Sequence, residues 1–170
     1  MLGLERLVEK EGMENLVIDV RHNPGGYLQQ ATNILSQLFK DRGKLLVYTE
    51  GRTVKRTDYK TSGRNFFDIN NIAVLIDEGS ASASEIVAGA IQDLDRGVVV
   101  GRRSFGKGLV QEQYGLQDGS ALRLTVARYY TASGRSIQKD YEDLEAYDKD
   151  ILERFNRGEL SSIDSTQVAD

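Results

Sequence analysis

Asp77-Glu78-Gly79-Ser80-Ala81-Ser82-Ala83-Ser84-Glu85-Ile86-Val87-Ala88-Gly89-Ala90 is the stretch around which the rest of the chain is organised. It follows the apolar run Ile72-Ala73-Val74-Leu75-Ile76, whose pattern predicts a buried strand. It passes through Gly79 and small side chains into a run from Glu85 that predicts a helix. Strand, tight turn and helix in succession stand a serine at a helix N-terminus. Small neighbours there admit a substrate backbone, and free N–H groups of the first turn face a developing oxyanion. The same residues carry a plainer reading. Ser82-Ala83-Ser84-Glu85 has the form of a capping box, in which Ser82 satisfies a backbone donor for about 1 kcal/mol. Taken alone, the stretch favours capping, so the decision rests on what lies elsewhere in the chain.

Composition narrows the choices. The chain has 170 residues, 39% of them hydrophobic, which suffices for one domain with a real core. A net charge of −4 argues against nucleic acid as the main partner. No apolar run is long enough to span a bilayer. The opening Met1-Leu2-Gly3-Leu4-Glu5-Arg6 reads as an amphipathic, charged stretch rather than a secretory leader. There is no cysteine, which removes a thiol nucleophile, disulfides and thiolate metal sites and leaves the redox compartment open. His22 is the single histidine, which excludes a multi-histidine metal centre. No metal or other cofactor is expected. Acid–base chemistry near neutral pH falls to His22 or to a Lys, Glu or Asp with a displaced pKa.

Along the chain, Leu4, Leu7 and Val8 predict a short helix ending near Gly12, and Leu16-Val17-Ile18-Asp19-Val20 a buried strand. Asn23-Pro24-Gly25-Gly26 is strong turn chemistry. Leu28, Ala31, Ile34, Leu35 and Leu38 follow at helical spacing. Lys44 to Thr49 reads as a strand, residues 52–60 as an exposed strand or arm, and Ser62-Gly63-Arg64-Asn65 as a loop. Gly97-Val98-Val99-Val100-Gly101 predicts another buried strand. Residues 109–114 and 121–130 predict a hairpin through Gln117-Asp118-Gly119-Ser120. From Tyr141 the chain turns acidic and helical, with Leu144, Tyr147, Ile151, Leu152 and Phe155 on one side. The whole reads as α/β: a mixed sheet flanked by helices and closed by a β-hairpin. Residues 1–160 form the expected core domain and 161–170 a flexible tail.

Lys107 stands between two glycines in Phe105-Gly106-Lys107-Gly108-Leu109-Val110. Glycines on both sides let the backbone bend and clear space around the side chain. Phe105 and Val110 are expected to wall it off from water. A lysine acts as a base only when neutral, so its pKa must fall from about 10.4 toward about 7–8, and desolvation is the usual means. Gln111, four residues on, is placed to hydrogen-bond the amine. A Walker loop needs Ser or Thr after Gly-Lys, and Gly108 stands there instead.

Four stretches in order now resemble one family. They are Val17 through Gly26, Asp77 through Glu85, Gly101 through Gln111, and Tyr129-Tyr130-Thr131-Ala132-Ser133-Gly134-Arg135-Ser136-Ile137-Gln138. Together they are similar to the carboxyl-terminal processing, or tail-specific, proteases, over residues 16–138. The resemblance implies a ClpP/crotonase-like core and a serine endopeptidase working through an acyl-enzyme. Ser82 would be its nucleophile, Lys107 its general base and Gln111 the residue that orients Lys107. The amide of Ala83 and one from Gly25-Gly26 would form the oxyanion hole. The nucleophile–base logic agrees with the residues themselves, and on this basis Ser82 is read as nucleophile rather than cap. Ser80 and Ser84 are the near alternatives, and a histidine triad through His22 a remoter one. Asp19 and Arg21 are expected to form a structural ion pair.

Departures from the family pattern also matter. Members usually carry a PDZ domain and an N-terminal helical region, and a strand or two ahead of the opening helix here. Proline usually stands where this chain has Ala132. The chain is therefore read as a core from a longer protein. Expected substrates are protein or peptide segments with unstructured C-termini, with apolar or small residues favoured, laid as an added strand along residues 121–130. Homo-oligomers are allowed, and location outside the cytoplasm follows by family. Two other classes stay open. One is a crotonase-like enzyme acting on a thioester, which leaves Lys107 and Gln111 unexplained. The other is a non-catalytic interaction module that kept the fold.

Overall fold

The computed structural model describes residues 2–63 and 68–160. The predicted 62–65 loop therefore lies partly, and the expected 161–170 tail wholly, outside the described residues. The chain divides into two compact units, Met1–Lys139 and Asp140–Asp170.

In the first unit the elements run α1 (Leu2–Glu11), β1 (Asn15–Asp19), α2 (Leu28–Leu38), β2 (Arg42–Glu50), β3 (Thr57–Ser62), β4 (Asn71–Ile76), α3 (Ala83–Asp93), β5 (Val98–Gly101), β6 (Leu109–Gly115) and β7 (Ala121–Thr131). The parallel and antiparallel strands are segregated into separate sheets. One sheet has the order β1-β4-β5 and is parallel throughout; the other has the order β3-β2-β7-β6 and is antiparallel throughout. In the parallel sheet Val17 pairs with Ala73 and Ala73 with Val98, so these residues share one face. The opposite face carries Ile18, Val74 and Val99 into the core, where Val74 is fully buried.

Helix α3 makes the structure cohere. Its residues Ala83 through Ile91 are all buried, and it packs against α2 and strands of both sheets. A helix covered on every side must be apolar or small all round, which is why the sequence there reads Ile-Val-Ala-Gly-Ala-Ile. Leu35, Leu46, Ile86 and Ile91, all but fully enclosed, form the centre of this core.

Expectations for the strands are corrected here: the runs 16–20 and 97–101, expected as buried strands, are covered on one face and leave Val17, Val98 and Val100 exposed on the other. Strand β7, residues 121–130 of which were read as a free edge for a substrate strand, lies between β2 and β6; the edges of that sheet are β3 and β6. In the second unit, α4 (Leu144–Asn156) starts at an Asp143 cap but leaves Leu144, Ile151, Leu152 and Phe155 exposed. Its fully buried side chain is Arg154, paired with Glu159 at 2.6 Å. A charge in that position needs its partner, because burial penalises an unpaired ion.

Candidate active site

The 77–82 turn folds as it does because its polar groups satisfy one another. Ser80 is fully buried; its hydroxyl donates to Val20 O at 2.7 Å and accepts from Asp77 N–H at 2.9 Å. Asp77 Oδ1 accepts from the backbone N–H groups of His22, at 2.8 Å, and Gly79, at 2.9 Å. Ser84 is buried and donates to Asn23 O at 3.1 Å, the same carbonyl that accepts from Ala81 N–H at 3.0 Å. Both neighbouring serines are therefore committed to holding this turn against the 20–26 turn.

Ser82 differs from them in three ways. It is partly exposed. Its O–H has no acceptor among the described residues: in the capping box the side-chain oxygen stands toward the Glu85 amide and the backbone amide of Ser82 donates to Glu85 Oε2 at 2.8 Å, but the hydroxyl proton is left over. Its backbone sits at φ 55°, ψ −115°, a conformation that is disfavoured for any residue with a Cβ. Strain of this kind costs about 1–3 kcal/mol and persists only where the surroundings impose it. A strained serine on a strand-to-helix turn, its Oγ raised above a sheet, is the arrangement of a nucleophile elbow.

The 20–26 turn supplies the opposite wall. Gly25 has φ +93°, and a Cβ there would lie 2.5 Å from Ala81 O, 2.7 Å from Ala83 N and 2.8 Å from Ser82 Cβ. Only glycine fits. The Gly25 amide is already used, donating to Asn23 Oδ1 at 2.9 Å, so it is not free for the oxyanion role expected of it. Among the described residues, no acceptor takes the amides of Gly26 or Ala83. Beside them lies a cavity of about 200 Å³ lined by Val20, Gly26, Ala31, Ile34, Ala83 and Val87. A larger cavity, about 260 Å³, lies behind Glu85, and neither Ser82 nor the Gly25-Gly26 turn lines it.

His22 is not directed to a serine. Its Nδ1 lies 3.0 Å from Asp77 Oδ2, with the imidazole 79% exposed. Burial pushes the Asp77 carboxyl up, but the His22 and Gly79 amides and the His22 ring outweigh it and hold the group below the usual carboxylate range. The expected Asp19–Arg21 pair forms, bidentate at 2.9 and 2.7 Å, and its hydrogen bonds draw Asp19 down to about 2.

Glu85 is the residue that sequence reasoning undervalued. Its buried carboxylate accepts from Ser82 N–H at 2.8 Å, Ser104 Oγ at 2.7 Å, Gly106 N–H at 2.7 Å and Lys107 N–H at 2.8 Å. One side chain thus ties the nucleophile turn to the lysine loop. The capping-box spacing announced a glutamate at the helix start, but not what its second oxygen would reach.

The lysine itself departs from expectation. Lys107 is exposed, and so is Gln111 on the edge strand β6. The dry niche expected from Phe105 and Val110 does not enclose it. Among the described residues, no hydrogen bond joins the Ser82 hydroxyl, the Lys107 amine and the Gln111 amide. The structure brings the backbone of Lys107 to the Ser82 turn through Glu85, and leaves the reactive side-chain tips apart from any shared bond.

Comparison with known proteins then specifies the class. Residues 4–146 match the family model described as Peptidase family S41, and the chain belongs to that family. It is 46% identical over 138 residues to a carboxy-terminal-processing protease of Bartonella bacilliformis, covering 79% of this chain and 31% of that protein. It is 39% identical over 132 residues to a chloroplastic C-terminal processing peptidase of Tetradesmus obliquus, covering 78% of this chain and 28% of that protein. Among solved structures, a photosystem II D1 C-terminal processing protease aligns at TM-score 0.69 and 40% identity, over 77% of this chain and 33% of that one. The chain thus spans about a third of the length of these relatives, which are bacterial and chloroplastic processing proteases. No helix among the described residues is long and apolar enough to cross a membrane.

Proposed function

We propose that this chain is the catalytic core of a serine endopeptidase. Ser82 Oγ attacks the scissile carbonyl, Lys107 takes its proton, Gln111 aims the lysine, and the amides of Gly26 and Ala83 receive the oxyanion. The amine product leaves with the proton, and water then hydrolyses the acyl-enzyme. The observation that carries this reading is the strained, partly exposed Ser82, whose hydroxyl is left over while Ser80 and Ser84 are bound. The exposed Lys107 fits it if a bound substrate chain covers the lysine and drives water away from it at the moment of use.

The substrates are flexible protein segments near a carboxyl terminus. The apolar cavity beside the Gly26 and Ala83 amides favours a small or apolar side chain. The free edge of β6, which begins two residues after Lys107, is the place for an added strand. The relatives' settings support a location outside the cytoplasm. The exposure of Lys107 favours a second reading, that of a non-catalytic module.

Digestion of an unfolded protein decides between them. Wild type should produce fragments and take up a fluorophosphonate at Ser82. Ser82→Ala and Lys107→Met should each lower the cleavage rate by about 10³-fold or more. Because its side chain is exposed, Lys107→Met should do so with an unchanged melting temperature. Equal cleavage by all three proteins would refute the assignment.

A further inference from the structure

Lys107 lies between two glycines, and the structure gives a reason that has nothing to do with clearing space around its side chain. The segment carrying Gln138 and Lys139 runs directly against residues 106–108. A Cβ on Gly106 would lie 2.8 Å from Lys139 Cβ, and one on Gly108 would lie 2.3 Å from Gln138 N. Both glycines are required by this close approach. Hydrogen bonds seal it: Lys139 N–H donates to Gly106 O at 3.0 Å, and Gly108 N–H donates to Gln138 Oε1 at 3.0 Å. Gln138 is itself aimed, its Nε2 donating to Lys139 O at 2.9 Å.

With Glu85 included, three successive amides of the loop end on side-chain oxygens. Gly106 and Lys107 donate to Glu85, and Gly108 donates to Gln138. Gly108 O is also engaged, accepting from Tyr129 N–H at 2.7 Å. Glu85 grips the loop from the helix that carries Ser82, and Gln138 grips it from the far side. Without Gln138 the buried Gly108 amide loses its acceptor, and the loop loses the contact that fixes its outer half.

We propose that Gln138 is a positioning residue, which sets where Lys107 projects relative to Ser82 by anchoring Gly108. The inference rests on Lys107 being the base. Gln138 bonds the backbone of Gly108 and Lys139 rather than the side chain of Ser82 or Lys107, so its loss should reach the chemical step and spare binding.

The test compares wild type, Gln138→Met and Gln138→Glu in peptide cleavage, fluorophosphonate labelling of Ser82 and thermal melting. Met keeps the volume and removes the acceptor; Glu keeps an oxygen for Gly108. Misplacing a catalytic group by about 1 Å costs up to about 100-fold, so Gln138→Met should lower kcat roughly 10- to 100-fold with KM within about twofold. Gln138→Glu keeps the acceptor for Gly108 but sets a carboxylate oxygen against Lys139 O, so it should recover only part of that loss. In wild type the Gly108 amide should exchange hydrogen as slowly as the core strands, a measurement that does not depend on any variant folding. A folded Gln138→Met with wild-type kcat overturns the inference. Loop-like exchange at Gly108 overturns it too. A wild type that neither cleaves nor labels instead overturns the assignment of Ser82 and Lys107 on which this one stands.

Discussion

The Ser82 turn and the Lys107 loop solve the same problem from opposite ends. At Ser82 the backbone is strained and its flanking residues are buried, and the reactive hydroxyl is left over. At Lys107 the backbone is bound amide by amide, and the side chain is exposed. The first site is held by the core: the turn from Asp77 to Ser82 is bonded to the 20–26 turn and runs into the buried helix α3. The second is finished only on its backbone side. The difference teaches that geometry and electrostatics are separable in such a dyad. Rigid mounts come from hydrogen bonds within the chain, whereas a lysine's pKa depends on what covers its tip.

The contrast is broken most severely at Gly25. Gly25→Ala places a Cβ against Ala81, Ser82 and Ala83 at a positive φ of +93°. Strain and backbone displacement should remove about 3 kcal/mol of stability and, through displacement of Ser82, about 100-fold in rate. Denaturant melts and cleavage rates check both. A variant with wild-type values would mean the two turns do not touch as described.

Next comes Glu85→Gln, which strikes both regions at once. The carboxylate receives its four donors as an acceptor only, and an amide would turn an NH₂ toward some of them. The expected cost is about 2–3 kcal/mol, with labelling of Ser82 slowed in the folded fraction. By comparison, Lys107→Met should leave stability alone; if it melts lower than Glu85→Gln, the contrast is inverted.

The mildest test is acid. Asp77, Glu78 and Asp93 are all held below their ordinary values. In Glu78 the Arg102 hydrogen bonds do this; in Asp77 and Asp93 hydrogen bonds from neighbouring amides and hydroxyls overcome burial. A depressed carboxylate contributes stability above its unfolded pKa of about 4 and loses it as pH falls through the folded value. Melting temperature should therefore be level from neutral pH to about 5 and fall below about 4, and Asp77→Asn should soften that fall. A flat profile down to the most acidic buffer would mean that these contacts do not form in solution.

Much was legible in the sequence because it depended on local order. Apolar periodicity placed the strands and helices, since a helix packed all round leaves its mark residue by residue, but it did not show that the runs 16–20 and 97–101 are covered on one face only, with Val17, Val98 and Val100 exposed. The serine-bearing turn was readable because strand, small residues and helix follow one another without interruption. Tertiary structure alone decided the rest. Which of Ser80, Ser82 and Ser84 kept a free hydroxyl depended on Val20 and Asn23, about 60 residues away. Gly25's amide proved to be spent on Asn23. The segregation into two sheets, with β7 inside one of them, followed from pairing across the chain. Lys107's exposure and the reach of Glu85 and Gln138 to its loop have the same origin. Composition states which groups a chain can bury or bond, but a hydrogen bond between distant segments exists only once the chain has brought them within 3 Å.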